Sequence, residues 1–188
     1  MIDLRLAMRR IAAPLLLLLA SSCSGNGEDD ADVATQDDGI QTIAAGLATS
    51  EELGIMQDAL AQSELAGVFD GPASYSILAP TDAAFEALGD PKTTLLENDQ
   101  RPLLVAILRD HLLPGHITPE AIEAALAEQG APVTMTTLGQ AEVTFAKSGD
   151  SLTVTRESGQ TAALTGTAVA ASNGVVIPID RILLPPKG

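Results

Sequence analysis

The hydrophobic period of this chain changes after Gly130, and that change limits which architectures are open to it. Before Gly130, apolar residues recur every three or four positions. Leu53, Met56 and Leu60 do so, with Ile55 and Ala59 widening the stripe. Leu103, Leu104, Ile107, Leu108 and His111 do so after Pro102. This is the spacing of helices with one buried face. After Gly130 the period drops to two. Val143 with Phe145, and Leu152 with Val154, alternate with polar residues as in half-buried strands. Helices are expected over 42–48, 50–62 and 63–69, from Pro102 to the Pro114-Gly115 break, and from Thr118 to Gly130. Strands are expected over 74–79, 133–138, 141–146, 151–155, 162–165, 169–171 and 175–179. Helices followed by a mostly antiparallel sheet make an α+β domain. Pro178 has no N–H for a ladder, so its strand is expected to be an edge there or to carry a bulge.

Two segments carry more specific grammar. In 74–88, SYSILAPTDAAFEAL, a strand is stopped by Pro80, which biases Ala79 towards extended geometry. Thr81 can then cap a short helix with Asp82 in its first turn, and Phe85 and Leu88 share that helix's inward face. In 171–186, ASNGVVIPIDRILLPP, Asn173-Gly174 has the composition of a type I′ turn with positive φ values, joining two strands. Between them, 108–115 reads LRDHLLPG.

Together these three landmarks, in this order, resemble a fasciclin domain extending from about residue 42 to 186. Such domains usually carry a Tyr-His pair before a Leu-Pro-Gly-like turn. Here His111 is kept and Asp110 stands where the tyrosine would be. The resemblance implies a wedge of two mostly antiparallel β-sheets flanked by several α-helices. It also implies a binding or adhesion role with no cofactor, directed at an envelope or extracellular protein or a matrix component. An alternative it implies is carriage of an apolar small ligand, such as a carotenoid or lipid; the helices carrying Leu53, Met56, Leu112 and Leu113 could line a groove for one. The family-motif residues are Pro80, Thr81, Phe85, Asn173 and Gly174.

The amino end addresses the chain for export. Arg5, Arg9 and Arg10 precede a short apolar run at 11–20 with five consecutive leucines, then Ala20-Ser21-Ser22 and Cys23. The run is too short for a stable membrane-spanning helix, which needs about 20 apolar residues. The order reads as a secretory signal over 1–22. The cysteine directly after small residues makes it resemble a bacterial lipoprotein signal, in which Cys23 would become the lipidated first residue of the mature chain. Ser24 follows, where an aspartate in that family marks inner-membrane retention. The expected location is therefore the cell envelope, at the outer membrane or periplasmic face, or the cell surface. Residues 23–39 are expected to form an extended, disordered tether, because Glu28, Asp29, Asp30, Asp32, Asp37 and Asp38 repel one another and little there is large and apolar. The folded domain is expected over 40–186.

Charge and composition narrow the chemistry. Formal net charge is −15, and removing 1–22 would take away three arginines and one aspartate, leaving −17. Such a balance argues against nucleic acid, whose phosphates need Lys and Arg. Cys23 is the single cysteine, so no intramolecular disulfide or thiolate zinc cluster can form. His111 and His116 straddle Pro114-Gly115 and do not share a helical face, so no metal site is expected. No HExxH, phosphate-cradling glycine loop or Gly-x-Ser-x-Gly elbow is present, and no catalytic residue is assigned. The polar residues of interest are His111, Asp110 and Asp180. His111 is either a structural histidine at a helix end, bonded to backbone or to a carboxylate such as Asp180, or a contact to a ligand. Asp180 reads as an acceptor between the final strands.

Overall fold

The computed structural model describes residues 34–37, 41–70 and 73–186. The expected signal and Cys23 lie outside them. Helix α1 (Ile43–Thr49) starts where the Thr42 hydroxyl accepts from Ala45 N at 3.3 Å. Helix α2 (Gly54–Ser63) starts four residues later than the periodicity suggests, because residues 51–52 form a turn and Leu53 has no capping side chain. A distant residue caps it instead. Asp82 Oδ1 accepts from Ile55 N at 2.8 Å, while Asp82 N donates to the Glu52 carbonyl at 2.8 Å. A 3₁₀ turn (Leu65–Asp70) leads to strand β2 (Tyr75–Pro80). Helix α3 (Asp82–Glu86) is capped by Thr81, whose hydroxyl accepts from Ala84 N, and buries Phe85. Helices α4 (Asp90–Leu95) and α5 (Arg101–Asp110) follow, each with a proline in its first turn, where no intrahelical N–H bond is lost.

Helix α5 ends at Asp110, not at Pro114-Gly115. Residues 112–114 leave the helix because β2 recruits them: strand β3 (Leu112–Pro114) pairs antiparallel with β2, and Leu78 N donates to the His111 carbonyl at 2.9 Å. Leu103, expected in the buried stripe, is 44% exposed. Helix α6 (Pro119–Gln129) has the expected Thr118 cap and a left-handed Gly130 terminus.

Strands β4 (Val133–Thr136), β5 (Glu142–Ser148), β6 (Ser151–Arg156) and β7 (Thr161–Ala163) form an antiparallel sheet in sequence order. The second sheet holds β1 (Thr35–Asp37), β8 (Ala168–Ala171) and β9 (Gly174–Ile179) with β2 and β3, in the order β1-β8-β9-β2-β3. Five of the seven pairings are antiparallel; β2–β9 and β1–β8 are parallel. Two sheets, mostly antiparallel, with helices against them give the α+β class. The parallel β2–β9 ladder runs from Tyr75↔Gly174 to Pro80↔Ile179, so the two most specific sequence segments lie side by side at the centre of the sheet.

Central position explains composition. One face of β2 and β9 offers Ile77, Ala79 and Val176 to a core with α1, α2 and α5. The other face offers Leu78, Val175, Ile177 and Ile179 to Val143, Phe145, Leu152 and Val154 of the antiparallel sheet. Strands covered on both faces become continuous apolar runs rather than alternating ones.

Three expectations are corrected here. Pro178 lies in a central strand, not an edge. It sits past the end of β8, and its carbonyl accepts from Thr165 N at 2.9 Å on the side away from β2. Because N and C=O of one strand residue point the same way, its missing N–H takes nothing from the β2 ladder. The hairpin turn is displaced by one residue: Ala171 pairs with Gly174, leaving Ser172-Asn173 as the loop, and Asn173 does not take positive φ. Its side chain is drawn inward instead, with Oδ1 accepting from Ile43 N at 2.8 Å and Nδ2 donating to the Phe69 carbonyl at 2.7 Å. Gly174 is required by packing, since a Cβ there would overlap the Tyr75 carbonyl oxygen and crowd Ile43. Finally, residues 35–37 of the expected tether form the edge strand β1. Ala168 N donates to the Ala34 carbonyl, and Glu120 accepts from Thr35 N at 3.0 Å and Thr35 Oγ1 at 2.8 Å. Backbone pairing and one carboxylate hold a polar segment that has no apolar anchor.

Candidate binding site

The end of α5 gathers Asp110, His111 and Arg156, the buried ionisable side chains among the described residues. Ile107, Asp110 and His111 follow one another at helical spacing, which turns Ile107 and His111 towards each other. His111 is 1% exposed. Its Nδ1 lies 2.8 Å from the Ile107 carbonyl, which can only accept, so Nδ1 carries the proton. Its Nε2 accepts from Leu183 N at 3.0 Å. Both ring nitrogens are therefore satisfied in the neutral state. Burial, the largest influence, lowers the His111 pKa from its ordinary value, and Arg156 adds to this; the Ile107 bond and Asp110 act in the opposite direction without reversing it.

Asp110 turns to a different partner. Arg156 Nη2 donates to Asp110 Oδ2 at 2.7 Å, with both side chains at least nine-tenths buried. The loop after β4 closes over this pair: Leu138 N donates to the Leu112 carbonyl and Gly139 N to the Arg109 carbonyl. A Cβ on Gly139 would overlap Asp110 Oδ1, so glycine permits this approach. A polar cavity of about 360 Å³, lined by Arg109, Gln140 and Glu157, lies beside the pair. Sequence reasoning misses Arg156, for which one signal exists. It continues the inward alternation of Leu152 and Val154, where an arginine demands a buried partner.

Asp180 is not part of this cluster. It is exposed, and its Oδ1 accepts from Ala163 N at 2.7 Å, joining the end of β9 to β7. The structure thus brings Asp110 and His111 together and keeps Asp180 apart. Among the described residues no three His, Cys, Asp or Glu side chains gather as a metal site.

An apolar groove of about 530 Å³ opens on the other side of α5. Leu88, Pro91 and Leu95 line one wall, Leu103 and Ile107 the floor, and Leu184 with the two prolines after it the far wall. Asp90 and Thr94 are its polar lining residues. Of the helices expected to line such a groove, α5 does so and α2 does not. Leu53, Met56, Leu112 and Leu113 are all buried inside the two cores, because α2 and β3 are covered by neighbouring elements. The groove arises instead where α4, α5 and the chain end fail to close on one another. Its floor residue Ile107 is the residue whose carbonyl binds His111.

Comparison with known proteins agrees with this architecture. The family model for the fasciclin domain matches residues 51–185. Protein sll1483 of Synechocystis sp. is 28% identical over 154 residues, covering 79% of this chain and 76% of that protein. The cell surface glycolipoprotein MPB83 of Mycobacterium bovis is 32% identical over 112 residues, covering 60% of this chain and 44% of that protein. The transforming growth factor-beta-induced protein ig-h3 of Sus scrofa is 30% identical over 153 residues, and the chain spans 20% of it. Among solved structures, the FAS1 domain pair from the insect cell adhesion molecule Fasciclin I superimposes with a TM-score of 0.68 at 16% identity, covering 77% of this chain and 51% of that one. The sheet framework that joins the two sequence boxes and the family match over residues 51–185 lead to one assignment: the chain belongs to the fasciclin domain family.

Proposed function

We propose that the protein is a non-enzymatic interaction module of the cell envelope, tethered to a membrane through a lipid on Cys23. Its partner is an envelope or extracellular protein or a matrix component. The observation that carries this reading is the similarity of the domain to a cell surface glycolipoprotein, joined to the small-residue-cysteine order at 20–23 of this chain. Among the described residues no helix is long and apolar enough to cross a membrane. Acyl chains contribute about 0.8 kcal/mol per buried CH₂, enough for two or more chains to hold the domain at a surface. The reading is tested by capture from envelope extract with the lipidated chain and with a chain lacking 24–33. Enrichment of one partner by both supports it. No enrichment, with normal attachment of a deletion strain, would sink it.

A second reading is favoured by the apolar groove. Its volume falls in the range of small-molecule sites, roughly 300–1,000 Å³, and its lining of leucines, prolines and an isoleucine suits an apolar ligand with few polar groups. Retention of carotenoid or lipid mass through purification supports carriage. Repeated failure to load the full chain with either counts against it.

A further inference from the structure

The apolar groove has one wall that is not built from a helix or strand. Residues 182–186 run back over the domain as a strap. Ile182 and Leu183 root it, with their side chains buried in the helix-side and sheet-side cores respectively. Beyond that root the strap is held by contacts to side chains: Leu184 N donates to Gln160 Oε1 at 2.6 Å, and Ser158 Oγ donates to the Leu184 carbonyl at 3.3 Å. A further tie is Leu183 N to His111 Nε2 at 3.0 Å, and the half-buried Leu184 side chain packs against the helix-side core. Leu184 and the two prolines after it then close the groove against Leu103 and Ile107.

The two ring nitrogens of His111 respond differently to a proton. Nδ1 already donates to the Ile107 carbonyl and keeps doing so in the imidazolium. Nε2 changes from acceptor to donor and then faces the Leu183 N–H, a donor against a donor. A buried cation would also have gained no counter-charge of its own, because Asp110 is already committed to Arg156. The charged groups that act on the ring are Asp110 on α5, which favours the imidazolium, and Arg156 on β6, which opposes it.

We propose that His111 is a proton-operated latch: protonation at Nε2 releases the Leu183 N–H, lets residues 184–186 swing from the α5 wall, and discharges an apolar occupant of the groove. Leu183 itself stays rooted in the core, so the motion is local. The proposal rests on the groove reading for its occupant and on the hydrogen-bond geometry for its switch.

The test uses the full chain with the neutral fluorescent probe N-phenylnaphthylamine and ¹⁵N spectra, titrated downward from about pH 7.5 through and below the range in which an ordinary histidine changes charge, because burial lowers the pKa of this one. The expected result has three parts. Probe fluorescence falls at least about twofold. The Leu183 amide shift titrates with the same midpoint, and far-UV circular dichroism stays constant. His111→Gln can donate to Ile107 and accept from Leu183 without titrating, and is expected to hold the probe throughout. Gln160→Ala removes a surface tie of the strap and should move release to higher pH, since a weaker closed state needs less acid to open. A probe that never binds refutes the groove reading, while the Leu183 shift still reports on the latch. A probe that binds and stays bound while His111 titrates refutes the latch. Release that coincides with loss of circular dichroism also refutes it, because the proton would then be unfolding the domain.

Discussion

Arg156 and Asp110 are 46 residues apart in sequence and form a buried ion pair at 2.7 Å, clamping the last turn of α5 to the last residue of β6. The pair joins the helical layer to the antiparallel sheet. Its carboxylate, Asp110, stands where the family resemblance leads one to expect the tyrosine of a Tyr-His pair, and His111 is kept beside it. Arg156 Nε and Nη1 are buried without a hydrogen-bond partner among the described residues, so the arginine depends heavily on this carboxylate.

Removing one member is therefore expected to cost far more than removing both. Asp110→Ala should lose about 3–5 kcal/mol of unfolding free energy, because it leaves an uncompensated buried guanidinium. The double variant Asp110→Leu with Arg156→Met should recover most of that loss, as apolar replacements of buried pairs often do. Urea unfolding of Asp110→Leu, Arg156→Met and the double variant measures the coupling. Additive losses would show that the pair is not the clamp described.

Asn173 sets a second test. Its side chain ties the start of α1 to the end of the 3₁₀ turn, so Asn173→Ala should destabilise by roughly 1–3 kcal/mol through two lost hydrogen bonds to partly buried backbone. Gly174→Ala should cost at least as much, since the methyl group meets the Tyr75 carbonyl of the neighbouring strand. Denaturation midpoints check both. A neutral Gly174→Ala would contradict the tight β2–β9 approach.

Acid should weaken the domain through His111. Its folded-state pKa lies below its ordinary 6.5, so as pH falls the unfolded chain takes up the proton first. The stability held by the neutral ring is complete above that ordinary value. It is lost as pH falls towards the folded pKa, by up to about 1.4 kcal/mol per pH unit. Carboxylates add their own acid dependence, so the informative quantity is wild type minus His111→Gln. That difference should shrink as pH drops below the ordinary value. A constant difference would mean the ring does not stay neutral when buried.

The edge strand β1 should detach independently of the rest. Glu120 is partly desolvated, which raises its pKa, but hydrogen bonds from Thr118, Thr35 and backbone outweigh this and lower it. Its hold on Thr35 is thus present above its ordinary pKa and fades as pH falls through the folded value. Glu120→Gln should speed hydrogen exchange of the Ala168 amide, which bonds to Ala34, while leaving global stability within about 0.5 kcal/mol. An unchanged Ala168 rate would show that the carboxylate does not secure the strand.

What could be read from the sequence was local. Thr42, Thr81 and Thr118 each cap a helix through an N–H three residues on, a pattern written within one turn, and Gly130 ends α6 in the left-handed conformation that glycine permits. The period-two alternation of β5 and β6 is likewise visible residue by residue. What could not be read depends on partners far along the chain. Asp82 looks like a first-turn acid of α3 but caps α2 as well. Asn173 looks like a turn residue but serves as a bracket for α1. The end of α5 is set by β2, not by Pro114-Gly115. Leu103 fits the helical stripe of α5, but no element covers it, and the groove exists for that reason. Polar residues 35–37 carry no pattern that announces a strand, because a parallel edge is fixed by backbone and by Glu120.

The reading of the protein as a tethered surface module turns on its amino end, and the intact mass of protein extracted from native membranes tests it most directly. The predicted result is a chain that begins at Cys23 and carries added acyl mass. A chain with an unmodified Cys23, or one that keeps residues 1–22, would contradict it.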